Sequence, residues 1–226
     1  MTRVIGGLTS SGILEDFFID RYEVTNEQYK QFVNEGGYQN QKLWKNEFFD
    51  DGKVMNWQEA MSKFVDQTGR PGPSTWEAGD YPEGQEKYPV GGISWYEAAA
   101  YAEFKGKFLP TFEHWGLARG ENTFIINNKV YGGFSLFAPF SNYKNEGLVP
   151  VGSLSGMTSY GSFDMAGNVR EWCWNETIAG RSLRGGAWND NYYSFDGLTE
   201  LPAFDRSPTN GLRCAYYPDE NSIPET

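Results

Sequence analysis

The run from Ser162 to Glu176, SFDMAGNVREWCWNE, constrains this chain more than any other stretch. Gly167-Asn168 supplies the backbone freedom that a tight, left-handed turn demands. Asp164 and Glu171 flank the turn, so a chain folded back there aims both carboxylates at one point. Carboxylates together with main-chain carbonyls are hard oxygen donors of the kind calcium takes. From spacing alone the plainer reading is favoured, a structural corner whose acids are solvated or pair with arginines, because metal loops of no named type are weak signals.

A sharp corner suits a chain whose composition points to ordered loops. Aromatic residues make up 17% of the sequence, with 8 Trp, 14 Tyr and 16 Phe, and there are 27 Gly. That pairing predicts an irregular fold whose long loops are pinned by buried rings. Its 226 residues suit one domain spanning 1–226. A charged fraction of 22% and a hydrophobic fraction of 39% predict a soluble globular protein. No apolar run approaches the ~20 residues a membrane span needs, and no signal peptide is evident. The net charge of −11 disfavours nucleic acid and anionic membranes as partners. Cys173 and Cys214 could pair, and a reduced state fits as well. A single histidine, His114, excludes a histidine metal triad within the chain and argues against a histidine-assisted nucleophile.

Capping signals place the helices. Thr25-x-x-Gln28 starts one that stops at Gly36-Gly37, after a short bent strand within 13–24. Asn56 caps a short helix over Trp57–Phe64. Ser94 and Glu97 open the core helix, Trp95–Lys105, which Gly106 closes. Thr111 caps another. Asn127-Asn128 and Gly132-Gly133 break the apolar pieces after Glu121 into a hairpin and loops. Arg181–Trp188 and Asn210–Tyr216 read as adjacent core strands.

Several of these stretches resemble the signatures of the formylglycine-generating enzyme (sulfatase-modifying factor) family. They are FFIDRYEVTNEQYKQFV near the start, the segment from Tyr88 to Arg119, the run Asp164–Trp172, RSLRGGAW from Arg181, and NGLRCAY from Asn210. The resemblance implies an α+β fold, a variant of the C-type lectin fold, loop-rich with short strands and two or three helices. Residues 37–89 would be an insertion within that single domain. The family's calcium frame, carried over by position, falls on Asp164, the carbonyls of Gly167 and Val169, and Glu171. A first calcium site, near Ser141-Asn142-Tyr143, lacks its expected aspartate and is not expected here. Arg184 and Arg213 would be structural, paired with buried acids or carbonyls. The loop after the RGGAW motif lines the family's ligand face, making Trp188, Asn189, Asp190, Asn191, Tyr192, Tyr193, Phe195 and Arg206 candidate ligand contacts.

The resemblance also bears on chemistry. Formylglycine-generating enzymes bind copper through two cysteines whose positions fall on Asp190 and Phe195. Soft Cu(I) needs sulfur ligands, so no copper is expected. The related sulfoxide synthases take iron from histidines of a separate domain, which one histidine cannot replace. Ser194 and Ser207 have no base partner. The expectation is a calcium-stabilised domain that binds a protein, peptide or small molecule and is not an enzyme. The alternatives are an oxygen-dependent oxidoreductase with a metal site from Asp190, Asp196, Glu200 or His114, a regulatory domain of a bacterial serine/threonine kinase, and a variable protein of a diversity-generating retroelement. The kinase-fused members resemble this chain over nearly its whole length.

Overall fold

A computed structural model describes residues 1–9, 12–120, 123–126, 129–132, 138–143, 146–191, 197–219 and 223, with backbone alone for 123–126 and 129–132. All statements of structure refer to these described residues.

Short local signals set the helices. α1 (Asn26–Asn34), α2 (Trp57–Lys63) and α3 (Trp95–Phe104) each begin in a reciprocal capping box, Thr25 with Gln28, Asn56 with Glu59 and Ser94 with Glu97. Two orphan N–H groups are satisfied at each start. α4 (Phe112–Arg119) starts at Thr111 and ends at Gly120 with φ +87°, the left-handed stop that glycine adopts at no cost. Four α-helices thus form, where two or three were expected; the insertion supplies the additional one, α2.

The strands are short. β1 (Thr2–Val4), β4 (Phe17–Ile19) and β13 (Ala215–Tyr216) form one sheet in the order β1-β4-β13 and tie the two ends of the fold together. β2 (Gly7–Thr9) pairs with β3 (Gly12–Leu14), so the bent strand expected over 13–24 divides into β3 and β4. β5 (Phe48–Asp50) pairs with β6 (Lys53–Met55) inside the insertion. β7 (Thr123–Ile126) pairs antiparallel with β8 (Lys129–Gly132); the Asn127-Asn128 turn itself lies outside the described residues.

The central sheet has the order β11-β10-β9-β12, from β9 (Arg170–Thr177), β10 (Gly180–Arg184), β11 (Thr199–Leu201) and β12 (Asn210–Gly211). The arginine-rich strand and the last segment were expected to be neighbours. Instead β9 runs between them, antiparallel to β10 and parallel to β12. The last segment also divides, giving β12 to this sheet and β13 to the terminal one.

β9 separates two aromatic cores, because successive strand side chains face opposite ways. Trp172 belongs to the larger core with Tyr29, Phe32, Trp76, Trp95 and Tyr101. Its neighbour Cys173 belongs to the smaller one with Phe17, Trp115 and Met165. The insertion is built into the first of these. Trp44 stacks on Phe64 at 5.1 Å and Phe64 on Phe204 at 5.5 Å. Trp76 meets Tyr29 and Tyr81 edge-on, and its Nε1 donates to Asn26 Oδ1 at 3.0 Å. Each such ring pair adds about 0.5–1.5 kcal/mol beyond the buried area. No helix is long and apolar enough to cross a membrane.

Candidate functional site: the turn before β9 and the loop after β10

The turn preceding β9 adopts the left-handed backbone its sequence predicts, with φ +76° at Gly167 and +63° at Asn168. A Cβ on Gly167 would stand 2.1 Å from the carbonyl oxygen of Asn142, so only glycine fits. Asn168 is wholly buried and staples the turn to two distant segments. Its Oδ1 accepts from Asn142 Nδ2 at 3.0 Å and Val149 N at 3.1 Å, while its Nδ2 donates to Glu23 Oε2 at 2.7 Å. Glu23 Oε1 accepts the N–H of Val169 at 3.2 Å. Sequence reasoning missed Glu23, since it sits in a stretch that reads as core; an acid flanked there by Tyr22 and Val24 was the available signal.

Asp164 and Glu171 are both buried but have different partners. Glu171 is inaccessible to solvent and accepts from Arg213 Nε at 2.6 Å, Arg213 Nη2 at 2.7 Å and Trp115 Nε1 at 2.6 Å. Asp164, with φ +60°, accepts the N–H of Gly152 at 2.6 Å through Oδ2. Arg213 also donates to the carbonyls of Asp20 and Phe163, which gives it the structural role expected. Burial pushes the pKa of Glu23 well up, and the charges of Asp164 and Glu171 add to the rise. Burial raises Asp164 as well, against the Gly152 hydrogen bond and Arg213. Burial works against the charge of Arg213, but Glu171, Glu23 and Asp164 together outweigh it and hold its pKa above the usual value.

Three buried carboxylates therefore share one guanidinium. Burial raises the pKa of two of these acids, and a hard divalent cation would favour their charged forms in this setting of carboxylate and carbonyl oxygens. A carboxylate has about four lone-pair sites, so Glu171 keeps room on Oε1 beside its three N–H donors. No group of three or more His, Cys, Asp or Glu side chains among the described residues is placed to hold a metal. An ion here would thus depend on main-chain carbonyls such as those of Gly167 and Val169. The Ser141–Tyr143 segment fastens onto the turn: Asn142 O accepts from Asn168 N at 3.1 Å, and the Tyr143 hydroxyl donates to Gly185 O.

The loop after β10 is only partly open for binding. Trp188 is half-buried, its N–H bonded to Asn168 O at 3.0 Å, which couples this loop to the turn. Asn189 and Asn191 are exposed. Asp190 is committed internally: Oδ1 pairs with Arg170 and Oδ2 accepts from Ala187 N at 2.8 Å. Tyr192, Tyr193, Phe195 and Asp196 lie outside the described residues.

Arg206, named above among candidate ligand contacts, is an internal strut. Its guanidinium has five N–H donors. Nε and Nη2 hold Glu97 at 2.8 and 3.0 Å, Nη1 donates to the carbonyls of Lys63 and Val65, and Nη2 also reaches Gly72 O. All five are used within the protein, two on Glu97 of α3 and three on carbonyls of the insertion, so none is left for a ligand.

The remaining candidates for redox chemistry do not converge. Cys173 and Cys214 are buried and not joined in a disulfide, and burial pushes the Cys214 thiol well above its usual pKa. His114 is buried between Phe17 and Tyr217, its Nδ1 sharing a hydrogen bond with Thr111 Oγ1 at 2.7 Å, and burial lowers its pKa to about 4. Glu200 is exposed on β11.

Residues 9–217 match the Sulfatase-modifying factor enzyme 1-like domain. The chain belongs to this family. Among relatives of the sulfatase-modifying factor domain, serine/threonine-protein kinase pkn1 of Chlamydia caviae is 31% identical over 162 residues, covering 71% of this chain and 23% of the kinase. The chain thus spans under a quarter of that protein's length. The inactive C-alpha-formylglycine-generating enzyme 2 of Mus musculus is 30% identical over 213 residues, covering 78% of this chain and 65% of that one. Among solved structures, CarF superposes with a TM-score of 0.64 at 20% identity, covering 96% of this chain and 98% of its own. Treponema denticola variable protein 1 gives 0.59 at 18%, covering 96% and 95%. These likenesses establish the fold, the formylglycine-generating-enzyme-like variant of the C-type lectin architecture.

Proposed function

We propose that this sulfatase-modifying factor domain is a non-catalytic recognition module. It presents Trp188, Asn189 and Asn191, with Tyr192, Tyr193 and Phe195 of the same loop, to a protein, peptide or small molecule. Calcium, held by Asp164, the carbonyls of Gly167 and Val169, and Glu171, would neutralise the buried acids and keep the turn beneath that loop in shape. The observation that carries the reading is the fate of Asp190. By the family resemblance it falls where the related oxidases place a copper thiolate, and its carboxylate is spent on Arg170 and the Ala187 N–H. The two buried cysteines offer no substitute: Cys173 lies on β9 and Cys214 between β12 and β13, and burial pushes the Cys214 thiol well above its usual pKa. The similarity to formylglycine-generating enzymes named as inactive points the same way.

Loading the protein with Cu(I) and following oxygen uptake with a cysteine-containing peptide tests it. No stoichiometric copper and no oxygen consumption is the expected result; tight copper binding with turnover would establish an oxidase instead.

A second reading is favoured by the kinase similarity: the module serves as the recognition part of a serine/threonine kinase. The sequence encoded upstream of Met1 decides it, through the presence or absence of a kinase domain there.

A further inference from the structure

The β5–β6 hairpin of the insertion and the tip of the β9–β10 hairpin enclose an open cleft of about 640 Å³, lined also by Tyr96 of α3. That volume lies within the usual range of small-ligand sites, roughly 300–1,000 Å³. The Tyr96 hydroxyl accepts the N–H of Phe49 at 2.9 Å, which fixes the insertion's side of the cleft to the core helix.

Arg181 lines the cleft from β10. Its guanidinium carbon lies 3.8 Å from the centre of the Trp95 ring, and one N–H goes to Trp174 O at 2.9 Å. The nearest carboxylate, Glu176, stands 3.9 Å away, beyond hydrogen-bond reach. Among the described residues nothing else engages the other guanidinium N–H groups. Arg181 thus has one counterion, the solvent-exposed Glu176, which makes no hydrogen bond to it.

The rim carries the opposite sign. Glu47 and Asp51 line the cleft without an ion pair or hydrogen bond among the described residues, and the Glu176 side chain is 79% exposed. A purely anionic ligand meets these three acids on entry. A purely cationic one leaves Arg181 unmatched. A dipolar ligand satisfies both. Phe49 on β5 and Ile178 at the tip between β9 and β10, both exposed, add apolar surface on either side.

We propose that this cleft binds the C-terminal end of a basic peptide, with the terminal carboxylate on Arg181 and a lysine or arginine side chain against Glu47, Asp51 and Glu176. The site uses no residue of the loop Trp188–Phe195, so it stands or falls independently of the loop's role.

Fluorescence anisotropy with labelled Ala-Gly-Lys bearing a free carboxylate, the same peptide as its amide, and labelled Ala-Gly-Glu tests it. The free-carboxylate lysine peptide should bind roughly tenfold tighter than its amide, the worth of one charge-assisted hydrogen-bond pair. Arg181→Met should abolish that preference. The rim variant Glu47→Gln/Asp51→Asn, whose residues are exposed and support no fold contact, should weaken the preference for lysine over glutamate and keep the preference for the carboxylate. Equal binding of acid and amide, no binding at millimolar peptide, or an undiminished lysine preference in the rim variant would overturn the proposal.

Discussion

Arg213 grips Glu171 through Nε at 2.6 Å and Nη2 at 2.7 Å, and neither side chain touches solvent. The pair joins the strand that follows the turn to the segment that closes the chain. Breaking a buried pair strands a charge, which costs about 3–5 kcal/mol, whereas replacing both partners by apolar groups is often close to neutral. Arg213→Met should therefore lose about 3–5 kcal/mol in urea unfolding. Glu171→Gln/Arg213→Met should recover part of that loss; a double variant as unstable as the single one contradicts the pairing as the source.

The buried acids give the protein in EDTA an unusual pH response. Glu23 and Asp164 have native pKa values raised by burial, so between the ordinary carboxylate range and those raised values the folded state binds more protons than the unfolded one. Their contribution is fully present below the unfolded pKa and is lost as pH rises through the folded one. In EDTA, stability should fall with rising pH across that window, and Glu23→Gln should flatten the slope. Stability that rises there in EDTA, and is unaltered by the substitution, contradicts the charge excess.

His114 behaves in the opposite sense. Burial lowers its folded pKa to about 4, below its unfolded value near 6.5. Neutral His114 thus contributes stability above pH ~6.5 that is lost as pH falls toward 4. The imidazole C2 proton, the single such histidine signal in the NMR spectrum, should not shift between pH ~5.5 and 8. A midpoint near 6.5 would place the ring in solvent.

Arg206 predicts a local effect. Arg206→Ala leaves Glu97, wholly buried on α3, without its guanidinium and frees the carbonyls of Lys63, Val65 and Gly72. Unfolding stability should drop by about 3–5 kcal/mol, and limited proteolysis should cut within 37–89 faster than elsewhere. Cleavage spread evenly over the chain would assign Arg206 a different role.

Much of this architecture is written in short-range chemistry. The capping boxes at Thr25, Asn56 and Ser94 and the Gly167-Asn168 turn depend on residues within a few positions of one another, so pattern reading finds them. Arg206 shows where that stops. It falls in a loop rich in Asn, Asp and Tyr that reads as ligand-facing, yet its partner Glu97 lies 109 residues earlier. Glu97 itself looked fully accounted for by its capping box with Ser94. Glu23, 145 residues from Asn168, escaped for the same reason. The position of β9 between β10 and β12 is likewise a matter of long-range pairing, and strands of two to eight residues carry too little periodicity to announce their neighbours.

Elemental analysis of protein purified without chelator, followed by thermal melting with and without EDTA, tests most directly whether the Asp164–Glu171 turn is a structural cation site in a domain without redox chemistry. The prediction is calcium near one equivalent per chain and a lower melting temperature after chelation, because a ligand bound only to the folded state stabilises it by mass action. Iron or copper at that level, or a melting temperature indifferent to EDTA, would contradict it.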